Sequence, residues 1–223
     1  MRALRPGLWH WKAPHPDWRP SEPWDQNVSS YAIDDGERLL LFDPIAPPSE
    51  LEKLAAERET AVVLTAPWHE RDTQRLVERL GVPVYAPLPD TAEYLMQTYG
   101  LTAEQAADGS PDVVWLLKEG IGEAHLYAAG DRPDVGVEAF PGQKPNDIVL
   151  WIESHRTVIA GDTLVDFGNG LEINARWLHQ QGITREQVVE GLRPLLELPV
   201  EHVLATHGGP HDRAALERAL SLS

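Results

Sequence analysis

Three short stretches carry the side chains that could do chemistry: TAPWHERDT at residues 65–73, AGDT at 160–163 and ATHGGP at 205–210. Each follows an apolar run of strand character, so each stands where a chain leaves a sheet and can project side chains into a cleft. The first sets His69 beside Glu70, Arg71 and Asp72, the second presents Asp162 after Gly161, and the third presents His207 before two glycines. Imidazoles and carboxylates can ligate a metal or move a proton. There are no cysteines, so thiol nucleophiles and thiolate ligands are excluded, and any metal must be held by His, Asp or Glu. Taken singly, each residue also has a plainer role. Asp162 can close a turn through its own backbone, and His207 can be a satisfied loop histidine. Asp72 can cap the next helix by accepting an N–H near Gln74 or Arg75, and Arg71 can sit in a surface ion pair on the first helical turn.

The elements that must position these loops are legible from period and punctuation. Residues 28–33 and 38–42 read as strands joined by DDGE, whose Asp-Gly pair signals a hairpin. Ser49 precedes a run of helix formers that leads into the strand AVVLT at 61–65, a strand, helix, strand progression. Leu76, Val77 and Leu80 recur at helical spacing before Gly81 and Pro83. If the first turn is helical, His69, Asp72, Leu76 and Leu80 share one face. VPVYAP reads as a strand and residues 90–108 as one or two helices broken at Gly100. Strands are expected at 124–128, 134–140, 147–152 and 156–160, then a helix over ITREQVVEGLRPLLEL despite Pro194. A closing strand, glycine loop and helix end the chain. Strands in two groups, each followed by helices, predict an α/β (α+β) chain of two packed sheets with helices outside.

The order of the motifs, LFDP, then LT with a His/Asp-rich loop, then PGQKPNDIVLWIESHRTVIAGDTL, then LATHGGP, resembles the metallo-β-lactamase-fold superfamily over residues 28–210. That resemblance implies a four-layer αββα sandwich with one or two metal ions, usually zinc or iron, at one sheet edge. The family's first motif reads Thr-His-x-His-x-Asp-His. Without a gap, Ala66, Trp68, Glu70 and Arg71 fall at its ligand positions. With one inserted residue, His69 takes the second histidine's place, Arg71 the aspartate's and Asp72 the last histidine's. The family's Pro-Gly-His-Thr is here Pro141-Gly142-Gln143-Lys144, a neutral amide for an imidazole. Asp162 matches the bridging aspartate and His207 the last histidine. The implied ligand set is His69, Asp72, Asp162 and His207, enough for one Zn, Fe or Mn ion and hardly for two. Asp162 and His69 are then the expected catalytic pair. His15, Trp68, Arg71 and Gln143 are the candidates for a substrate pocket, with Arg71 able to grip an anionic group. The competing expectation is no metal at all, in a descendant that binds a small molecule or a protein partner through the old cleft.

The stretch LWHWKAPHPDW concentrates Trp9, Trp11 and Trp18 with His10 and His15 before the first expected strand. Residues 1–26 read as an aromatic arm on a single domain spanning 1–223. The arm could wall a pocket and bring His15 in as a replacement ligand, or cover an apolar patch or the interface of a homo-oligomer. Further on, NARWLHQQG adds Arg176, Trp177 and His179.

With 19 Lys plus Arg against 35 Asp plus Glu, the net charge is −16, which opposes a polyphosphate backbone and argues against nucleic acid as a partner. The N-terminus lacks the apolar core of a signal peptide, and no run of about 18 uncharged apolar residues occurs. No membrane association and a soluble cytoplasmic location are expected. The function implied is a metal-dependent hydrolase of a small ester, lactone, thioester or phosphoester.

Overall fold

The computed structural model describes residues 1–107, 122–176, 178 and 182–221. The first sheet has seven strands in chain order: β1 (Arg2–Arg5), β2 (Leu8–Pro14), β3 (Asn27–Asp34), β4 (Arg38–Phe42), β5 (Glu59–Val63), β6 (Val84–Pro87) and β7 (Ala124–Tyr127). It is antiparallel from β1 to β4 and parallel from β4 to β7. Parallel neighbours need crossovers. Helices α1 (Ser49–Glu57) and α2 (Thr73–Leu80) supply the first two, and α3 (Ala92–Tyr99) and α4 (Ala103–Ala107) follow β6.

The second sheet contains β8 (Glu138–Pro141), β9 (Ile148–Ile152), β10 (Thr157–Ile159), β13 (His202–Leu204) and β14 (Pro210–Asp212), in the order β14-β13-β10-β9-β8. Between β10 and β13 lie the ribbon β11 (Leu164–Val165) and β12 (Glu172–Ile173) and the helix α5 (Arg185–Leu192). Helix α6 (Arg213–Ala219) closes the chain.

Side-chain alternation builds the layers. On β4, Leu40 and Phe42 join Ile148, Leu150 and Ile152 of β9 in one apolar cluster between the sheets. Leu39 and Leu41 point the other way, onto Leu51 and Ala55 of α1 and Leu76 and Val77 of α2. On β9, Val149 and Trp151 meet Val188, Val189 and Leu192 of α5 and Leu216 of α6. A strand sends successive side chains to opposite faces, so a wholly apolar strand must be covered on both. The result is the four-layer αββα sandwich.

Residues 2–5 and 8–14, read as part of an arm, are strands of the first sheet. β2 pairs with β3 along its whole length, from Leu8↔Ile33 to Pro14↔Asn27. Leu8 packs between the sheets, while Trp11 packs toward the helices with its indole N–H donating to the Ile45 carbonyl at 2.7 Å. The aromatic residues of this segment thus obey the period of a buried strand. The strand expected at 134–140 is confined to β8, because Pro133 and Gly136 close a turn before it. Pro194, which has no N–H to give, ends α5 at Leu192, and a 3-10 turn covers Arg193–Glu197. Trp177 and His179 lie outside the described residues. Among the described residues no helix is long and apolar enough to cross a membrane.

Candidate active site

β4 runs parallel to β5, and β10 parallel to β13. Their carboxyl ends deliver Asp43, Thr65, Asp162 and His207 to one rim, the place where sheets of parallel strands gather ligands. Thr65 bonds across to the second sheet, its carbonyl accepting the Ile148 amide at 2.8 Å.

The TAPWHERDT loop forms a 3-10 turn over Pro67–His69, and α2 begins only at Thr73. Arg71 between them is left-handed, with φ 47°, so no continuous helix places His69, Asp72, Leu76 and Leu80 on one face. His69 turns inward and is 4% exposed. Its Nδ1 lies 2.9 Å from Thr65 Oγ1 and 3.2 Å from Asp43 Oδ2. Asp43 in turn accepts from the Thr65 amide at 2.9 Å and hydroxyl at 2.6 Å. On the other side, His69 Nε2 lies 3.3 Å from Asp162 Oδ1.

Asp162 is 1% exposed. Its Oδ1 also faces His207 Nε2 at 3.4 Å, yet neither imidazole is aligned to give it a hydrogen bond, and Oδ1 is buried without one. Its Oδ2 accepts the Trp68 indole N–H at 3.0 Å. Asp147 fixes the Asp162 backbone: its Oδ1 accepts the Asp162 amide at 3.0 Å and its Oδ2 the Thr163 hydroxyl at 2.7 Å. Gly161 adopts φ +56°, and a Cβ there would fall 2.6 Å from Asp147 Oδ1. The turn therefore requires glycine.

Charge accounts for the protonation pattern. Burial pulls the His69 imidazolium down, but the Asp162 and Asp43 carboxylates outweigh it and raise the ring to about 9. Burial raises both carboxyls too, and the facing His69 charge overcomes this, holding Asp43 below and Asp162 well below the ordinary value. Asp147, buried and pushed further by the neighbouring Asp162 charge, rises to about 7.

Of the expected ligands, the structure brings His69, Asp162 and His207 together. It does not bring Asp72. That carboxylate accepts from the Ala46 amide at 3.0 Å and from Arg75 at 3.0 Å, and it makes no side-chain cap on α2. The left-handed Arg71 reverses the chain between the two residues, so only His69 faces the rim. Gln143 is fully buried, its amide N–H donating to the Asp162 carbonyl at 2.9 Å; it supports Asp162 and lines no open pocket. Arg71 is no surface pair: Nη1 donates to the Asp43 carbonyl at 2.7 Å and the Ser29 carbonyl at 3.1 Å. Trp68 touches Asp162 directly. His15 stops short, its ring edge-on to Trp24 with centroids 5.3 Å apart and its Nδ1 accepting the Asp17 amide. Trp24 continues to His207, 4.8 Å between ring centroids.

Asp43 and Asp147 were not expected at the site. Their signals were faint: Asp43 follows the run RLLLF, and Asp147 precedes the run of β9, each a carboxylate at a strand boundary.

A cavity of about 270 Å³ opens beside His207, lined by Glu22, Trp24, Phe167, Asn174 and Arg176 among others. Two imidazole nitrogens and one carboxylate oxygen thus converge next to a small cleft. Among the described residues no group of three or more His, Asp or Glu side chains is placed, as the side chains stand, to hold a metal ion. Two of the separations are those an ion would need. Bonds of about 2.0–2.2 Å put neighbouring ligands of a tetrahedron roughly 3.3–3.6 Å apart, and the two N···O separations are 3.3 and 3.4 Å. The bondless Oδ1 is the atom left to receive it.

No protein-family model matches the sequence, and no curated protein does. Solved structures do. The chain is similar to the DIM-1 metallo-β-lactamase (13% identity, TM-score 0.59, covering 99% of this chain and 94% of that one). It is also similar to TTHA1623, solved in a di-iron-bound form (23%, 0.54, 86% and 93%). A third is the metallo-β-lactamase family protein TTHA1429 from Thermus thermophilus (19%, 0.56, 97% and 78%). At these identities the likeness establishes the fold.

Proposed function

The chain has the metallo-β-lactamase fold, and from that premise we propose that it is a hydrolase of a small ester, lactone, thioester or phosphoester with one divalent ion held by His69, Asp162 and His207. The observation that carries this reading is Asp162 Oδ1, buried, without a hydrogen bond, and flanked by two imidazole nitrogens. Two imidazoles and a carboxylate suit zinc, iron or manganese. TTHA1623 in its di-iron form supports keeping iron among them.

When bound, such an ion would polarise a carbonyl or phosphoryl oxygen and lower the pKa of its water toward neutrality. The chain does the positioning. Asp43 and Thr65 grip the far nitrogen of His69 and so orient its Nε2, as carboxylates behind ligating histidines do. Trp68 holds Asp162 Oδ2, leaving Oδ1 free. Gln143 and Asn174 donate to the Asp162 carbonyl at 2.9 and 3.2 Å, fixing that turn. Trp24 and Phe167 pack against the His207 ring and line the cavity beside it. The 270 Å³ cavity supports a small substrate.

A metal-free binding protein is the second reading. The position of His69 favours it, since a protonated ring there offsets the charge of Asp43 and Asp162 without an ion. Elemental analysis separates the two, using tag-free protein purified without chelator, with His69→Ala and His207→Ala alongside. The hydrolase predicts about one equivalent of zinc, iron or manganese, lost in both variants, and turnover in a screen of the four substrate classes. No uptake after incubation with each ion sinks it and leaves the binding protein.

A further inference from the structure

Arg71 is a permanent cation kept beside the carboxylates of this site at visible cost. Its backbone is left-handed at φ 47°, a conformation rare for residues with a Cβ. Its Nε is buried with no hydrogen-bond partner. Surface arginines need neither. What the arrangement secures is the place of the guanidinium, pinned by Nη1 to the carbonyls of Asp43 and Ser29. Burial there pulls its pKa down, and the Asp43 and Asp162 carboxylates work against that.

Trp68 acts on Asp162 itself. With its N–H on Asp162 Oδ2, the carboxylate turns Oδ1 toward the two imidazoles. The Lys144 ammonium lies over the Trp68 ring, 4.3 Å from its centroid, and helps to hold the indole in place. Ionised Asp43 and Asp162 supply two negative charges. Arg71 and a single dication already exceed them by one, and a second dication would make the excess three, strongly opposed in a buried pocket.

We propose that Arg71 is the built-in second cation of this site, and that its fixed charge lowers the affinity of the pocket for a divalent ion. The proposal rests on the single-ion reading above. Arg71 is a positioning and charge-setting residue and touches no reacting atom.

Chelator-stripped protein titrated with Mn(II), with free ion read by its electron paramagnetic resonance signal, tests it without any substrate. The parent should saturate at one equivalent. Arg71→Gln and Arg71→Met, two neutral variants of different polarity, should bind Mn(II) roughly ten-fold or more tighter, while Arg71→Lys should stay within about three-fold. Circular dichroism and melting check that each variant folds. A merely structural Arg71 would instead weaken uptake in all three. One ion in the parent with no gain in the neutral variants overturns the role of Arg71 and leaves the hydrolase standing. Uptake confined to the neutral variants upholds Arg71 and removes the ion from the parent. Two ions in the parent, or none in any protein, overturns the proposal.

Discussion

The His69 ring ties the two sheets together at their rim: Nδ1 lies 3.2 Å from Asp43 at the end of β4, and Nε2 lies 3.3 Å from Asp162 at the end of β10. One buried ring therefore shares its two nitrogens between two buried carboxylates, and most of what can be tested about this protein follows from that.

Stability of the chelator-stripped protein should fall as pH rises. The folded pKa of His69 is raised from 6.5 to about 9, so its stabilisation is full below 6.5 and lost as pH passes through about 9. The loss should be on the order of 2 kcal/mol. Urea unfolding at pH 6.5 and 9.5 measures it. His69→Gln should flatten the difference, and an unchanged slope in that variant would locate the titration elsewhere.

Acid should act through a different histidine. His10 stacks on Tyr31 and lies 2.9 Å from Ser29 Oγ; burial, then Lys12, lowers its pKa to about 4. Between pH 6.5 and 4 the unfolded chain binds more protons here than the folded one, so stability declines as pH falls through that window. Histidine NMR should show the His10 ring uncharged at pH 5.5, and a ring protonated there would contradict the burial argument.

Asp72→Ala should leave ion uptake within about two-fold and cost roughly 1 kcal/mol through the lost Arg75 pair and the Ala46 amide bond. Asp162→Asn should reduce uptake at least a hundred-fold, since Oδ1 is its receiving atom. Calorimetric titration of both variants decides whether the ligand set is His69, Asp162 and His207 or includes Asp72.

Gly142→Ala should destabilise by about 3 kcal/mol or more. An added Cβ would collide with the Asp147 carbonyl oxygen and with Thr163 Oγ1, and backbone cannot give way cheaply. Because Asp147 and Thr163 hold the Asp162 turn, ion uptake should fall with stability. Chemical unfolding and titration on one preparation would show whether the two losses move together.

The sequence by itself determined two packed sheets with helices outside, and the order of its motifs named the three residues that meet at the rim, His69, Asp162 and His207, with Asp72 beside them. Apolar runs and the glycines after β10 and β13 are local signals; the four-layer sandwich and the candidate ligands came from the resemblance those motifs carry. What it left open depended on direction. Whether His69 or Asp72 faces the rim turns on the sign of φ at Arg71, which no spacing encodes. That Trp9 and Trp11 belong to a strand shows only in the pairing of β2 with β3. Asp43 and Asp147 became part of the site because Thr65 and Asp162 lie beside them in the fold, Thr65 being 22 residues from Asp43 and Asp162 being 15 from Asp147. Tertiary structure decided these points because a buried carboxylate must find its donors, and here those donors arrive from separate loops.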